Sequence, residues 1–484
     1  MSRPGVGAAP EAVRLPKGFA IQLDPGVRVQ PGGRVLIGGM PLRILTLSRT
    51  AAGILADGAF VVSDDLSARL ADRLLATGVA HPRPAPAEPE RITVVVPVKD
   101  RPAGVDRLLT QVRATVTPAP ELVVVDDGSR DQLAIARIAR THGARLVRHR
   151  TSKGPSAARN AGFLSAETRL VAFLDSDCAP LAGWLEPLLA HFADPLVAAA
   201  ARASCRWAAS RGWTATSGSL VRWIAARPRR RSVFPRSRVP YVPSAALVVR
   251  RDAFGAGFDE TMRVAEDVDL VWRLVESGWR VRYEPAAQVA HEHRTQPVEW
   301  LRTRAYYGTG AAPLALRHGS AVAPLVMDRW SAGAWALALT GDWRAMVAAL
   351  GVTAVAASKF AVRLREDVPA LEDAGSTAYS LVRGGTLASG WQVASLLTRH
   401  AWPVTLAAAL VSRRARRIAL AVAVGEGVAA WIRDRPPLDP VRYVLARRLD
   451  DLAYGTGLWV GAARHRTFAP LRPDFTKVTR PPRR

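Results

Sequence analysis

Four short apolar runs, each followed by polar residues, are the feature that most constrains the fold of this 484-residue chain. They read "ITVVVPVKD" (92–100), "ELVVVDDGS" (121–129), "ARLVRHR" (144–150) and "LVAFLDSD" (170–177), and helical patterns separate them. This alternation predicts an α/β fold with a Rossmann-like parallel sheet. Because the carboxyl ends of parallel strands meet at one edge, we expect a ligand site there. No GxGxxG or GxxxxGK[ST] pattern follows the first run, which excludes dinucleotide-dehydrogenase and P-loop sites.

Asp175 and Asp177 follow the fourth run one residue apart, so the period of a strand places both carboxylates on one face. Two such carboxylates repel each other unless a cation lies between them. Oxygen ligands suit a hard divalent ion, and the pair therefore predicts a site for Mg²⁺ or Mn²⁺. The alternative is a solvated Asp-Ser-Asp turn that caps the next helix.

Other polar residues at the same predicted edge suit a nucleotide. Asp126 and Asp127 end the second strand, where carboxylates accept hydrogen bonds from a base imide or a ribose hydroxyl. Lys153, Arg159 and Asn160 flank a Gly-Pro turn at a helix start, which favours binding of a diphosphate. Ordinary solvated helix charges are the alternative for these three.

Two later segments supply candidates for the chemistry. "GFDETMRVAEDVDLVWRL" (257–274) places Glu266 and Asp267 at the start of an amphipathic helix, and "VAHEHR" (289–294) places His291 and His293 on one face of a strand. Either histidine could complete the metal site, and a satisfied polar pair is the alternative for one of them.

The segments "VVVPVKDR", "VVVDDGSRD", "GPSAARNAG", "FLDSD", "AEDVDLVWRL" and "VAHEHR" resemble, in this order, the inverting family-two GT-A glycosyltransferases over about residues 92–312. The resemblance implies a nucleotide-diphospho-sugar donor, with Asp267 as general base beside Glu266, and Asp175, Asp177 and His291 at the metal. The donor-binding residues that it implies are Pro97, Val98, Asp100, Arg101, Asp126, Asp127, Lys153, Gly154, Arg159, Asn160, Asp175 and Ser176.

The chain departs from that family in two places. Lys99 and Asp100 stand where the family often has an aromatic residue or Asn, which weakens the expected stacking on the base. No Q-x-x-R-W segment follows the acidic helix, which argues against a processive synthase of the cellulose type.

Residues 15–82 form a separate candidate domain, with two short strands joined by "GG", a third strand at 42–47 and two helices from Ser48 onward. This segment is similar to the small α+β winged-helix fold of PqqD-like domains, which bind peptides as an added strand. An accessory domain without a peptide is the alternative. A proline-rich linker follows at 83–91, and the glycosyltransferase domain is expected at 92–315.

Both modules together resemble the mycofactocin-system glycosyltransferase family. That resemblance implies transfer of glucose from UDP-glucose, in β linkage, onto the peptide-derived cofactor mycofactocin or its precursor. The alternative is a membrane-associated glycosyltransferase that acts on a lipid or cell-wall glycan, with the N-terminal domain purely structural.

The C-terminal region, 320–475, is rich in Ala, Leu, Val and Trp with Arg clusters, and we expect it to be all-helical. Its most apolar stretches, 345–364 and 402–432, are interrupted by Lys or Arg before they reach the length of a membrane span. Such helices either lie at an anionic membrane surface or pack as an ordinary bundle.

The net charge of +26, from 67 Lys and Arg against 41 Asp and Glu, favours a polyanionic partner or reflects an Arg-rich genome composition. We expect no nucleic acid, since basic and aromatic residues are not interleaved on a strand platform. The basic run at 227–238 is a candidate acceptor loop. Two cysteines without paired spacing and an N-terminus without an apolar core indicate a cytoplasmic protein. The basic, apolar C-terminal stretches add the expectation that it lies at the inner face of the cell membrane.

Overall fold

The computed structural model describes residues 4–10, 13–86, 90–202, 205–206, 231–291, 296–436 and 438–475. The described residues up to 291 form one compact unit, and those from 296 onward form a second. His293, residues 87–89 of the expected linker and residues 227–230 of the basic run lie outside the described residues.

The first unit begins with a small α+β domain. Its elements are β1 (Ala20–Leu23), β2 (Arg28–Val29), β3 (Val35–Gly38), β4 (Arg43–Thr46), α1 (Arg49–Ile54), β5 (Ala59–Val61), α2 (Asp65–Ala76) and β6 (Ala80–Pro82). The strands form two antiparallel sheets with the orders β5-β1-β6 and β2-β3-β4. Ser48 and Asp64 start the two helices, because each side chain accepts a hydrogen bond from a first-turn backbone N–H.

The larger part of the first unit is built on an eight-stranded mixed sheet with the order β14-β16-β12-β15-β10-β7-β8-β9. Its strands are β7 (Ile92–Val98), β8 (Glu121–Asp127), β9 (Arg145–His149), β10 (Leu170–Leu174), β12 (Val197–Ala201), β14 (Arg231–Val233), β15 (Ala246–Arg250) and β16 (Arg280–Tyr283). A smaller sheet joins β11 (Cys178–Pro180), β17 (Val289–His291) and β13 (Cys205–Arg206). The helices are α3 (Pro102–Thr115), α4 (Gln132–Thr141), α5 (Pro155–Leu164), α6 (Glu186–Leu189), α7 (Arg251–Phe254) and α8 (Glu266–Glu276).

Strand direction decides where the polar ends of the strands collect. The four strands β10, β7, β8 and β9 run parallel, as the sequence predicts. β15 runs antiparallel to both β10 and β12, which makes the sheet mixed. The carboxyl ends of β7, β8 and β10 therefore share one edge, and the start of β15 lies at the same edge beside β10.

Close packing of α5 on this sheet requires a glycine. A Cβ on Gly162 would lie 2.2 Å from Val95 Cγ1 and 2.9 Å from Val125 Cγ2. Both valines are buried on β7 and β8. This close approach fixes α5, and the polar residues at its start, against the carboxyl ends of the strands.

The described residues of the second unit are helical apart from loops and a short parallel pair of strands, β18 (Val326–Met327) and β19 (Asp474–Phe475). Its helices are α9 (Pro297–Thr309), α10 (Ala311–His318), α11 (Arg329–Ala338), α12 (Trp343–Asp367), α13 (Ala374–Ser395), α14 (Trp402–Val411), α15 (Arg413–Asp434) and α16 (Pro440–Arg464). The expectation of a helical C-terminal region is confirmed, and the described exception is this pair of two-residue strands. Asp474–Phe475 pairs with Val326–Met327, and Asp474 N–H also donates to the carbonyl of Leu325 at 2.8 Å.

Small residues and buried ion pairs hold this bundle together. A Cβ on Gly457 of α16 would lie 1.7 Å from the carbonyl oxygen of Ala305, so only glycine lets α9 and α16 approach so closely. Arg304 of α9 bonds to buried Asp450, and Arg399 donates from Nε to Asp451 at 2.7 Å. Both carboxylates are compensated, as burial of charge requires.

One described helix, α12, is long and apolar enough to cross a membrane by length and composition alone. Its most apolar window has a mean hydropathy of 1.8, and 22% of that window is buried. The expectation that charges interrupt every apolar stretch before spanning length is therefore wrong for α12. Lys359 is the only charged residue in 345–362, and one cation does not end an apolar window of 18 residues.

Candidate active site

Asp175 and Asp177 follow β10, as the sequence predicts, but they engage different partners. Asp175 Oδ1 accepts a hydrogen bond from Arg159 Nη2 at 2.7 Å. Asp177 Oδ1 lies 3.2 Å from His291 Nε2, and its Oδ2 lies 3.4 Å from Arg101 Nη1. The two carboxylates are therefore divided between a buried arginine and a histidine.

The strand pairing explains how His291 reaches Asp177. β17 runs antiparallel to β11 with His291 opposite Cys178, the residue after Asp177. The potential ligand atoms of Asp177, Cys178 and His291 all lie within 4.8 Å of one another. A carboxylate oxygen and an imidazole nitrogen fit Mn²⁺ or Mg²⁺, and two protein ligands leave positions for phosphate oxygens.

The protonation states in this cluster favour Asp177 and His291 as the ligands. Burial raises the pKa of the Cys178 thiol, and its Sγ donates to the carbonyl of Ala245 at 3.2 Å. Burial would also raise the pKa of the Asp177 carboxyl, but the hydrogen bond and charge of His291, with Arg101, lower it overall. Asp177 is thus ionised, while Cys178 keeps its proton. Asp175 stays a predicted ligand whose carboxylate pairs with Arg159.

At the end of β8, Asp126 is fully buried and organises the following turn. Its carboxylate accepts from Ser129 N–H at 2.9 Å and from Arg148 Nε at 3.2 Å. Ser129 Oγ in turn accepts from Asp100 N–H, and Asp100 Oδ1 accepts from Arg130 N–H. These bonds tie the ends of β7 and β8 together. Asp100 has a φ of 55°, a left-handed conformation that Asp tolerates better than most residues.

Asp127 organises the turn before α5. It accepts from Ser152 Oγ at 2.7 Å, from Lys153 N–H at 2.8 Å and from Gly154 N–H at 2.9 Å. His149 adds a fourth contact at 2.7 Å. Burial would raise the pKa of Asp127, but these hydrogen bonds lower it overall.

The structure brings several predicted donor residues to this edge and holds others in internal bonds. Lys153 is exposed beside the α5 start, and Arg101 is exposed beside Asp177. Pro97 and Val98 lie at the end of β7, and Ser176 is buried between the two aspartates. Asn160, in contrast, exchanges two hydrogen bonds with the backbone of Phe258. Direct contact of Asp126, Asp127 and Asn160 with the donor stays a prediction.

Arg159 is buried at the centre of the site. Its Nη1 donates to Glu266 Oε1 at 3.0 Å, while its Nη2 bonds to Asp175. The guanidinium also lies over the ring of Phe258, 5.4 Å from the centroid. Burial would lower the pKa of Arg159, but the carboxylates of Asp175 and Glu266 raise it, so the guanidinium stays charged. Arg159 thus joins Asp175, which follows β10, to Glu266 at the start of α8.

Asp267 lies in a different environment from Asp177. Its Oδ1 accepts from Val268 N–H at 2.8 Å, and its Oδ2 accepts from Ser244 N–H at 3.3 Å. Burial, together with the neighbouring charge of Glu266, raises the pKa of Asp267 to about 7. A carboxyl that loses its proton near neutrality is suited to general base catalysis. Ser244 has no recognisable motif, so no sequence signal identifies it.

The similarity of this chain to known proteins identifies its family. The family model for glycosyl transferase family 2 matches residues 93–258. Pre-mycofactocin glycosyltransferases from two strains of Mycobacterium tuberculosis are 42% identical over 475 residues, covering 96% of this chain and 99% of each relative. The chain belongs to the pre-mycofactocin glycosyltransferase family. It is a glycosyltransferase of the GT-A class, as the six sequence segments predict.

Two more distant similarities each cover only part of this chain. The succinoglycan biosynthesis protein ExoU of Rhizobium meliloti is 30% identical over 210 residues, covering 40% of this chain and 60% of that protein. The structure of the mannosyltransferase PcManGT from Pyrobaculum calidifontis, in complex with GDP-Man and Mn²⁺, is also similar. It shares 19% identity with a TM-score of 0.39, over 63% of this chain and 87% of that one.

The raised pKa of Asp267 gives a test of its assignment as base. Because its carboxyl must be deprotonated to act, we expect kcat/KM to rise with pH, to reach half its maximum at about pH 7 and to level off above that. Glu266→Gln removes a charge that raises this pKa, so the rising limb of the plot of kcat/KM against pH should move to lower pH. Glu260→Gln changes an exposed carboxylate that binds Asn160 and should leave the limb in place. A limb in Glu266→Gln that matches the unmodified enzyme would contradict the assignment.

Proposed function

We propose that the enzyme transfers glucose from UDP-glucose, with inversion, onto pre-mycofactocin or its peptide-derived precursor, and builds a β-linked oligosaccharide. Similarity to pre-mycofactocin glycosyltransferases over nearly the whole chain supports the acceptor. The observation that carries the mechanism is that the pKa of Asp267 is raised whereas the pKa of Asp177 is lowered. One carboxyl is suited to take a proton and the other to hold a cation.

In the proposed reaction, Asp267 takes the proton of the acceptor hydroxyl as the oxygen attacks the anomeric carbon. The new carbon–oxygen bond forms as the bond to the diphosphate breaks, so the nucleoside diphosphate leaves with the bonding electrons. The proton stays on Asp267 and passes to solvent after product release. A divalent ion held by Asp177 and His291 would neutralise charge on the leaving diphosphate.

The bonds of Glu266 support inversion rather than retention. Retention needs a carboxylate free to attack the anomeric carbon. Glu266 is buried and accepts a hydrogen bond from Arg159, and Asp175 pairs with the same guanidinium. Asp267 remains the carboxyl beside them with a pKa near neutrality.

The function can be tested with purified enzyme, Mn²⁺, UDP-glucose and pre-mycofactocin, with product masses and anomeric configuration as the readout. Asp267→Asn should lower kcat by about 10² to 10⁴, the usual contribution of a general base. Asp177→Asn should weaken Mn²⁺ activation and raise the KM for the donor. Asp106→Asn, on the surface of α3, serves as the control.

Two results would overturn the proposal. Full turnover by Asp267→Asn would contradict the assignment of Asp267 as the general base. An α-linked product would contradict transfer with inversion at the anomeric carbon. Transfer to a lipid or cell-wall glycan, with none to pre-mycofactocin, would instead favour the alternative acceptor. A panel of nucleotide sugars in the same assay identifies the donor.

We also propose that the second unit binds anionic lipid at a membrane surface. Trp343, Met346, Val347 and Leu350 are exposed on α12 at the spacing of one helix face. Leu410 and Val411, at the end of α14, are 73% and 88% exposed. Four exposed arginines begin the next helix, namely Arg413, Arg414, Arg416 and Arg417. Apolar side chains beside a cluster of cations match an anionic bilayer interface.

Vesicle binding tests this membrane surface. We expect the enzyme to sediment with vesicles of mixed anionic and zwitterionic lipid, and much less with purely zwitterionic vesicles. Each cation near the surface contributes about 1 kcal/mol, so Arg413→Gln with Arg414→Gln should weaken binding by about tenfold or more. Arg137→Gln with Arg140→Gln, exposed cations of α4, is the matched control. Equal loss in both double variants, or no binding at all, would refute the surface.

A further inference from the structure

A pocket of about 140 Å³ lies away from the carboxylate site, where the small N-terminal domain meets the segment 231–239. One wall comes from the β2–β3–β4 sheet and the turn after α2, and the other comes from β14 and the residues after it. All of these residues belong to the first compact unit. Its volume is far below the roughly 300 Å³ of the smallest usual ligand sites, so a nucleotide sugar does not fit. A single side chain or chain end does.

The charges of the pocket select the class of ligand. Among the described residues that line it, Arg28, Arg231 and Arg238 are cationic and Asp24 is the one acidic residue. Burial lowers the pKa of His81, so its ring adds no charge near neutrality. The lining therefore carries a net positive charge, and an anionic group is attracted to it.

Asp24 lies inside the wall of the pocket and fixes the side chains of His81 and Arg231. Its carboxylate is 8% exposed and contacts His81 Nε2 at 2.8 Å and Arg231 Nη1 at 2.8 Å. It also accepts from Gly26 N–H at 2.7 Å. The hydrogen bond to His81 lowers the pKa of Asp24, so it stays ionised at working pH. The pocket is thus built and internally bonded, with Arg28 and Arg238 exposed at its rim.

The same segment leads from the pocket to the candidate base. After Arg238 and Val239, the carbonyl of Pro240 accepts from Trp272 Nε1 at 2.7 Å, which ties the segment to α8. Ser244, farther along, donates its backbone N–H to Asp267. A group held in the pocket therefore anchors its molecule on the segment that also positions the base.

From this arrangement we propose that the pocket binds a carboxylate of an acidic peptide and so holds a peptide-derived acceptor on the enzyme. This inference rests on the proposed function for its choice of a peptide, and on the pocket's charge and size for its choice of a carboxylate. The carboxylate comes from an acidic side chain or from a chain end, and the two sources share one chemistry.

The five methionines of the chain provide an unusually direct test. Met40 lines the pocket, whereas the carbonyl of Met262 accepts from Ser156 near the start of α5. In full-length enzyme labelled at the methionine methyl carbons, we expect acetyl-valyl-glutamyl-valinamide or acetyl-valyl-glutaminyl-valine to shift the Met40 resonance saturably. Acetyl-valyl-glutaminyl-valinamide carries no carboxylate and should not shift it. UDP-glucose with Mn²⁺ should shift Met262 and leave Met40 in place.

Substitutions separate the pocket from general charge effects. Arg238→Gln should weaken the carboxylate-dependent shift by about fivefold or more, whereas Arg43→Gln, an exposed cation of β4 outside the pocket, should not. Equal shifts with the charged and neutral peptides, no Met40 shift, or no effect of Arg238→Gln would each overturn the inference. Loss of the Met262 response alone would count against the proposed donor and not against the pocket.

Discussion

The active site depends on one buried cation, Arg159, held between the end of a sheet strand and the start of a later helix. Its bonds to Asp175 and Glu266 are 2.7 and 3.0 Å long, and its side chain is 5% exposed. Removing one member of such a buried pair typically costs about 3–5 kcal/mol, because the remaining charge is left without compensation. The two ion pairs of Arg159 therefore fix α8, and with it Asp267, relative to the carboxylates after β10.

This arrangement separates two carboxyl groups by environment. His291 and Arg101 face Asp177 and keep it ionised. Asp267 is half-buried next to Glu266, and desolvation together with the charge of Glu266 raises its pKa to about 7. A cation-binding carboxylate and a proton-accepting carboxyl are the two functions that inverting sugar transfer needs. Asp126 and Asp127 contribute differently, since their bonds hold the turns around the site.

The sequence predicts those parts of the site that follow from strand periodicity and from family motifs. The parallel strands, the position of their polar ends, Asp177 and His291 all lie where the patterns place them. The antiparallel direction of β15 could not be predicted, because alternation of apolar residues carries no direction. The internal pairing of Asp175 and Arg159 was equally inaccessible, since their charges alone suit metal and diphosphate just as well. Ser244 contributes a backbone N–H, which any residue type supplies.

The most direct test of the central claim is the pH dependence of single-turnover transfer by Arg159→Gln. Arg159 lowers the pKa of Asp267, so its removal should move the rising limb to higher pH. Arg159→Lys keeps the charge and should leave the limb close to that of the unmodified enzyme, even where the rate falls. A limb that stays in place in Arg159→Gln, in a protein that remains folded, would show that Arg159 does not connect the two ends of the site.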